Sequence, residues 1–192
     1  APWCGHCKAL KPTWQKLPEK LKGIVKVGAV DCEENQELCA EHGVGSFPTI
    51  KIFMAGGRGV GEHAGANTAK GLYEFAMEHL PSEVVNLRTK KHLDEFKGGA
   101  CKEASSGCCA VLLTDKYETS PVLKSLSTQY HGVIAVGEAR ASNKVIGAEY
   151  GVDKFPTMVM ECDGQPTVYD GELRADPLAE YFAKHGKRKA KK

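Results

Sequence analysis

The chain has 192 residues, 42% hydrophobic and 26% charged, with a formal net charge of +2. That length holds one large domain or two of about 100 residues each, and no apolar run approaches the roughly 20 residues needed to span a bilayer. Five of the last six residues, Lys187 to Lys192, are cationic, so the rest of the chain is net negative; positive charge gathered in a tail argues against a folded nucleic-acid-binding face and reads as a solvated end or a contact for acidic partners.

In chain order, Cys4-Gly5-His6-Cys7 opens a helix that runs to Leu21. Ile24 to Val30 is a β-branched apolar run, the pattern of a buried strand. Glu33 to His42 has helical spacing and stops at Gly43. Ser46-Phe47-Pro48-Thr49 leads into a strand over Ile50 to Met54, Gly56-Gly57 signals a hairpin, and Val60 to Ala64 is the return strand. Thr68 to Leu80 is an amphipathic helix closed by Pro81.

A second passage repeats this order. Val84 to Leu87 and a helix around Lys90 to Phe96 precede buried strands at Ala110 to Leu113 and Val133 to Val136, with the helix Pro121 to Tyr130 between those two. The helix Asn143 to Tyr150 follows, then the strand Met158 to Met160, the turn Asp163-Gly164, the strand Thr167 to Tyr169 and a closing helix, Pro177 to His185. Gly43-Val44-(x2)-Phe47-Pro48-Thr49 has its echo in Gly151-Val152-(x2)-Phe155-Pro156-Thr157. Matched spacing of this kind points to two copies of one fold. The expected class is α/β, each copy a mixed central sheet flanked by helices. The expected domains are residues 1–82, 83–186 and a basic tail, 187–192. Against the second copy, the first lacks its N-terminal β-α-β portion, so its sheet is expected to lack a central strand and the 192 residues read as a fragment.

Eight cysteines lean towards an oxidising compartment. Those of Cys4-Gly5-His6-Cys7 are spaced to face each other at a helix start, where unpaired N–H groups and the helix dipole favour a thiolate. Cys4 is the expected nucleophile, and Cys7 the thiol that resolves the mixed disulfide. His6 between them can carry positive charge. A C-x-x-C is also half of many zinc sites, but the six-residue gap between Cys32 and Cys39 does not supply the other half, so no metal and no cofactor is expected. The matching position of the second copy, placed at Asp115 to Glu118, has no cysteine, and this copy is expected to be redox-inactive: a spacer, a stabiliser or a substrate-binding surface.

Ala-Pro-Trp-Cys-Gly-His-Cys-Lys-Ala-Leu-Lys-Pro-Thr-Trp resembles the active site of the protein disulfide isomerase family. Residues 1–80 resemble most of one catalytic domain, and 84–186 a non-catalytic thioredoxin-like domain. The resemblance implies disulfide formation, reduction and isomerisation in the lumen of the endoplasmic reticulum, on unfolded or partly folded proteins that contain cysteine, with glutathione or an upstream thiol oxidase as redox partner. No nucleic acid and no membrane insertion are implied. Pro48 matches the family's cis-proline, which leaves the backbone of Phe47 free to pair with an extended substrate beside Cys4. Trp3 and Gly5 complete the motif, Trp3 as an aromatic cover and Trp14 as a core residue. Some catalytic domains of the family carry a disulfide at the Cys32–Cys39 spacing; otherwise Cys39 is a buried small hydrophobe and Cys32 a free thiol.

Three departures stand out. No residue matches the family's buried glutamate, which lies on the strand before the motif. The position of its mobile arginine falls at about Asn67, and no lumen-retention tetrapeptide closes the chain. A chaperone-like or substrate-binding module with an impaired redox site is therefore the alternative reading.

Overall fold

The computed structural model describes residues 1–54 and 59–187, with only the main chain of Val60; the Gly56-Gly57 hairpin and nearly all of the basic tail lie outside the described residues. The chain divides into two units, Ala1–Leu80 and Pro81–Lys192.

In the first unit, helix α1 (Gly5–Leu21) presents Leu10, Leu17 and Leu21 to the interior, with Trp14 half-buried on the same stripe. That spacing puts the four side chains on one helical face. They pack against Ile50 and against Leu72 and Ala76 of helix α3 (Ala69–Glu78), whose N-cap Thr68 accepts a hydrogen bond from the Gly71 N–H. Between them lie the short helix α2 (Gln36–Glu41) and an antiparallel pair, β1 (Lys51–Phe53) with β2 (Gly59–Glu62). Lys51 stands opposite Glu62 and pairs with it at 2.6 Å.

The run Ile24 to Val30 departs from the expectation of a buried strand. It belongs to no ladder among the described residues, and Val30 is 54% exposed. An apolar run becomes a buried strand only where neighbouring backbones take up its N–H and C=O groups. Here residues from this run line a groove of about 920 Å3 together with Leu10 and Trp14 of α1 and with Ile50 and Phe53.

The second unit shows what such neighbours do. Its elements are β3 (Val85–Asn86), α4 (Lys90–Phe96) continuing into a π-turn over Lys97–Cys101, β4 (Cys108–Thr114), α5 (Pro121–Gln129), β5 (Ile134–Arg140), α6 (Lys144–Glu149), β6 (Thr157–Cys162), β7 (Gln165–Val168) and α7 (Ala175–His185). The sheet order is β3-β5-β4-β6-β7, with β3, β5 and β4 parallel and β6 and β7 antiparallel. All seven residues of the central β4 are buried. Successive side chains leave a strand on opposite faces, so β4 feeds two cores. Cys109, Val111 and Leu113 pack with Leu93, Phe96 and Ile146, while Cys108, Ala110 and Leu112 pack with Leu123, Leu126 and Phe182.

The adjacent cysteines follow the same alternation. Cys108 is bonded to its registered partner Cys162 across β4 and β6, with Cα atoms 4.1 Å apart, and Cys109 is bonded to Cys101 of the π-turn. Each face of the sheet is thus crosslinked once. The peptide bonds Phe47–Pro48 and Phe155–Pro156 are both cis. No helix among the described residues is long and apolar enough to cross a membrane.

Two outcomes test this architecture. Native-state hydrogen exchange should find the amides of residues 26–30 far less protected than those of β4 and β5; equal protection would show that the run is paired in solution. Phe182→Ala removes a fully buried ring and should cost about 3–5 kcal/mol in the denaturant transition of the second unit.

Candidate functional site

The site is built at the first turn of α1. Cys4 is the N-cap, in extended backbone conformation (φ −71°, ψ 116°), and its Sγ accepts a hydrogen bond from the Cys7 N–H at 3.2 Å. A helix start leaves its first N–H groups without partners inside the helix, and an N-cap oxygen commonly takes one of them. Here a sulfur does so. The acceptor therefore gains from carrying negative charge, in the field of the helix dipole as well.

The two thiols respond in opposite directions. The hydrogen bond from the Cys7 side chain, with the N–H groups of Cys7 and His6, holds the Cys4 thiol below its ordinary range. Burial pushes the Cys7 thiol up, and the neighbouring Cys4 adds to that rise. Neither is bonded to another cysteine.

The other motif residues form the surroundings. Gly5 has open space where a Cβ would stand, so the first turn is uncovered on that side. His6 is exposed. The Cys4 thiol donates to the Phe47 carbonyl oxygen at 3.6 Å, next to Pro48. Trp3, 64% exposed, stands edge-on to the Phe47 ring with centroids 5.9 Å apart. Its indole N–H donates to the carboxylate of Glu33.

Glu33 was not legible as part of the site. It sits in a turn that begins at Asp31, whose carboxylate accepts from the Glu33 N–H at 3.0 Å and whose backbone oxygen accepts from Asn35. Cys32 and Cys39 are joined across this turn, with Cα atoms 5.8 Å apart. The sequence signal was an acidic turn between two cysteines; its contact with Trp3 spans 30 residues and has no local signature.

In the second unit the equivalent position falls later than Asp115 to Glu118. Helix α5 is capped by Ser120, whose Oγ accepts from the Leu123 N–H at 3.2 Å. Ser120 and Leu123 thus stand where Cys4 and Cys7 stand in α1, with Phe155–Pro156 in the place of Phe47–Pro48. Among the described residues no cluster of His, Cys, Asp or Glu is arranged to hold a metal ion.

A thiol that caps a helix, with a second thiol one turn inside it, defines the class of thioredoxin-fold dithiol proteins. Residues 1–78 match the Thioredoxin family model. A putative protein disulfide-isomerase of Dictyostelium discoideum is 35% identical over 196 residues, covering 98% of this chain and 47% of that protein. Protein disulfide-isomerase A6 of Mesocricetus auratus is 31% identical over 204 residues, covering 89% of this chain and 46% of the relative. Among solved structures, ERdj5 form I superposes with a TM-score of 0.70 at 23% identity, over 95% of this chain and 25% of that one, which bears on the fold alone. The chain belongs to the protein disulfide isomerase family of thioredoxin-like proteins. It spans about half the length of these two relatives.

Because the Cys4 thiol is lowered and the Cys7 thiol raised, Cys4 is the first of the two to lose its proton as the pH rises. The rate of alkylation by iodoacetamide, followed by peptide mass mapping against pH, should show Cys4 reacting first with a midpoint below the ordinary thiol value of about 8.5. Preferential labelling of Cys7 would refute the assignment.

Proposed function

We propose that this chain exchanges disulfides with cysteines of other proteins, with Cys4 as nucleophile and Cys7 as resolving thiol. The observation that carries the reading is the Cys4 sulfur at the cap of α1, accepting the Cys7 N–H. In the reducing direction, the Cys4 thiolate attacks one sulfur of a substrate disulfide. The new S–S bond is the mixed disulfide, and the other substrate sulfur leaves as a thiolate that takes up a proton. Cys7 then loses its proton and attacks the Cys4 sulfur, expelling the second substrate thiol. The substrate has gained two electrons and two protons, and Cys4 and Cys7 have become a disulfide. The same steps run backwards form a substrate disulfide. If a different substrate thiolate attacks the substrate sulfur of the mixed disulfide before Cys7 attacks Cys4, a new substrate disulfide forms and the Cys4 thiolate leaves, which is isomerisation.

A lowered thiol serves both directions. It raises the thiolate fraction available for attack and makes Cys4 the better leaving group when a substrate thiolate attacks. Phe47 and the exposed Trp3 ring supply a surface beside Cys4 for an extended, partly folded chain. The substrates fitting this site are cysteine-containing proteins during folding. Glutathione or an upstream thiol oxidase would reset the dithiol, and the compartment is the lumen of the endoplasmic reticulum, in keeping with the relatives.

Cys7→Ser removes the resolving thiol while leaving the cap. It should accumulate mixed disulfides with a reduced, unfolded client, seen as reductant-sensitive bands on gels. Cys4→Ser should abolish both the adducts and insulin-disulfide reduction. Persistence of exchange in the Cys4→Ser, Cys7→Ser double variant would move the activity elsewhere, and suppression of aggregation without exchange in the unmodified chain would favour a chaperone-like module.

A further inference from the structure

The second unit has a serine where the first has its nucleophile, yet a polar group is buried beside that serine. Glu138 lies on β5 in line with Ile134 and Val136, on the face that packs α5 and α7. Where those residues contribute apolar core, Glu138 places a carboxylate whose side chain is 1% exposed. Its Oε2 accepts from the Thr119 hydroxyl at 2.6 Å and faces the Arg140 guanidinium at 3.2 Å. Its Oε1 is equally buried and has no hydrogen-bond partner. Buried acceptors are nearly always satisfied, so one left bare calls for an explanation.

Glu138 also lines a cavity of about 60 Å3, together with Ser120, Pro156 and the apolar side chains of Leu112, Met158 and Leu178. Thr119 and Arg140 hold Oε2, so the carboxylate that borders this space keeps its other oxygen unpaired. Lys116 and Glu118 border the cavity as well, and the residue between them, Tyr117, is 91% exposed. An aromatic ring held in solvent beside a lined cavity offers a platform for a partner.

Size and charge select the ligand. The volume is that of about two water molecules, enough for a hydroxyl and a methyl group but not for a ring. Lys116 and Arg140 balance Glu118 and Glu138, so a neutral donor leaves the site neutral, whereas an ammonium adds an unbalanced charge to a largely desolvated space. We propose that the second unit carries a non-redox binding site for a short hydroxyl side chain, serine or threonine, of an extended peptide, which donates its O–H to Oε1 of Glu138. With Ser120 and Leu123 at the helix start, no covalent bond forms and the peptide is free to leave.

The test uses the whole chain and two capped tripeptides of equal shape, acetyl-Ala-Thr-Ala-amide and acetyl-Ala-Val-Ala-amide, titrated while backbone amide resonances are followed by NMR. The threonine peptide should shift the amides of Thr119, Ser120, Glu138 and Thr157 in a saturable manner. The valine peptide, lacking only the hydroxyl, should bind about ten- to hundredfold more weakly, the worth of a hydrogen bond to a charged acceptor. Glu138→Gln should erase that difference. Should the variant not fold, the matched peptides decide alone. Equal binding of the two would show that the hydroxyl is not read, and no shift at these amides with either would show that the cavity holds water only; each result overturns the proposal.

Discussion

The hydrogen bond from the Cys7 N–H to the Cys4 sulfur is the contact on which the redox site rests. It closes the first turn of α1, because one of the helix's unpaired donors finds its acceptor there. It also selects which thiol is charged. The same N–H that a serine oxygen takes at α5 is taken by sulfur at α1, so a structural device becomes a chemical one without any change of backbone plan. The helix must therefore begin at Cys4 for the chemistry to work. What holds it there is the apolar stripe of Leu10, Leu17 and Leu21 against Ile50 and α3.

The two units make that dependence visible, since both carry a side-chain-capped helix and a cis Phe–Pro segment but take them to two ends. In the second, β4 is buried along its whole length and each of its faces is tied by a disulfide to a neighbouring element. Helix α5 is capped by a neutral hydroxyl and leads into apolar core at Leu123 and Leu126. Among the described residues of this unit the buried polar side chains are the hydroxyls of Ser106, Thr114, Ser125 and Ser127 and the carboxylate of Glu138, two residues beyond Val136. In the first unit polarity is concentrated at the helix start and the adjoining turn, where Trp3, Glu33 and Phe47 gather round Cys4. A stable sheet centre and a reactive helix end are separate features of the same plan, and each unit develops one of them.

Much of this was legible because the signals are local. Cys4-Gly5-His6-Cys7 marks a helix start by spacing alone, and the echoed Phe-Pro-Thr segments mark two copies of one fold. The helix over Lys90–Phe96 and the burial of Ala110 to Leu113 follow from apolar periodicity. The same reasoning misjudged Ile24 to Val30, since periodicity reports what a segment can bury and not whether a partner backbone is beside it. It read the helix over Pro121 to Tyr130 but placed the counterpart of the dithiol motif at Asp115 to Glu118, directly after the strand; that counterpart is the cap of the helix itself, set by the Ser120-Pro121 pair. The pairings of Cys101 with Cys109 and of Cys108 with Cys162 depend on strand alternation and register, which spacing does not reveal.

Glu33 and Glu138 show where sequence reading of a site stops. Each is an acidic residue in a plausible place for a solvated one, in an acidic turn and in an otherwise apolar strand. Glu33 became part of the redox site because a crosslinked turn carries it to the indole beside Cys4. Glu138 became a buried carboxylate because its strand parity turns it inward, under the start of α5, where Thr119 and Arg140 satisfy only one of its oxygens. A slip of one residue in register would have sent that carboxylate to the other face. Reactivity in this chain therefore comes from ordinary residues that tertiary geometry leaves half satisfied: a sulfur that takes a cap bond meant for oxygen, and a carboxylate with one oxygen still bare.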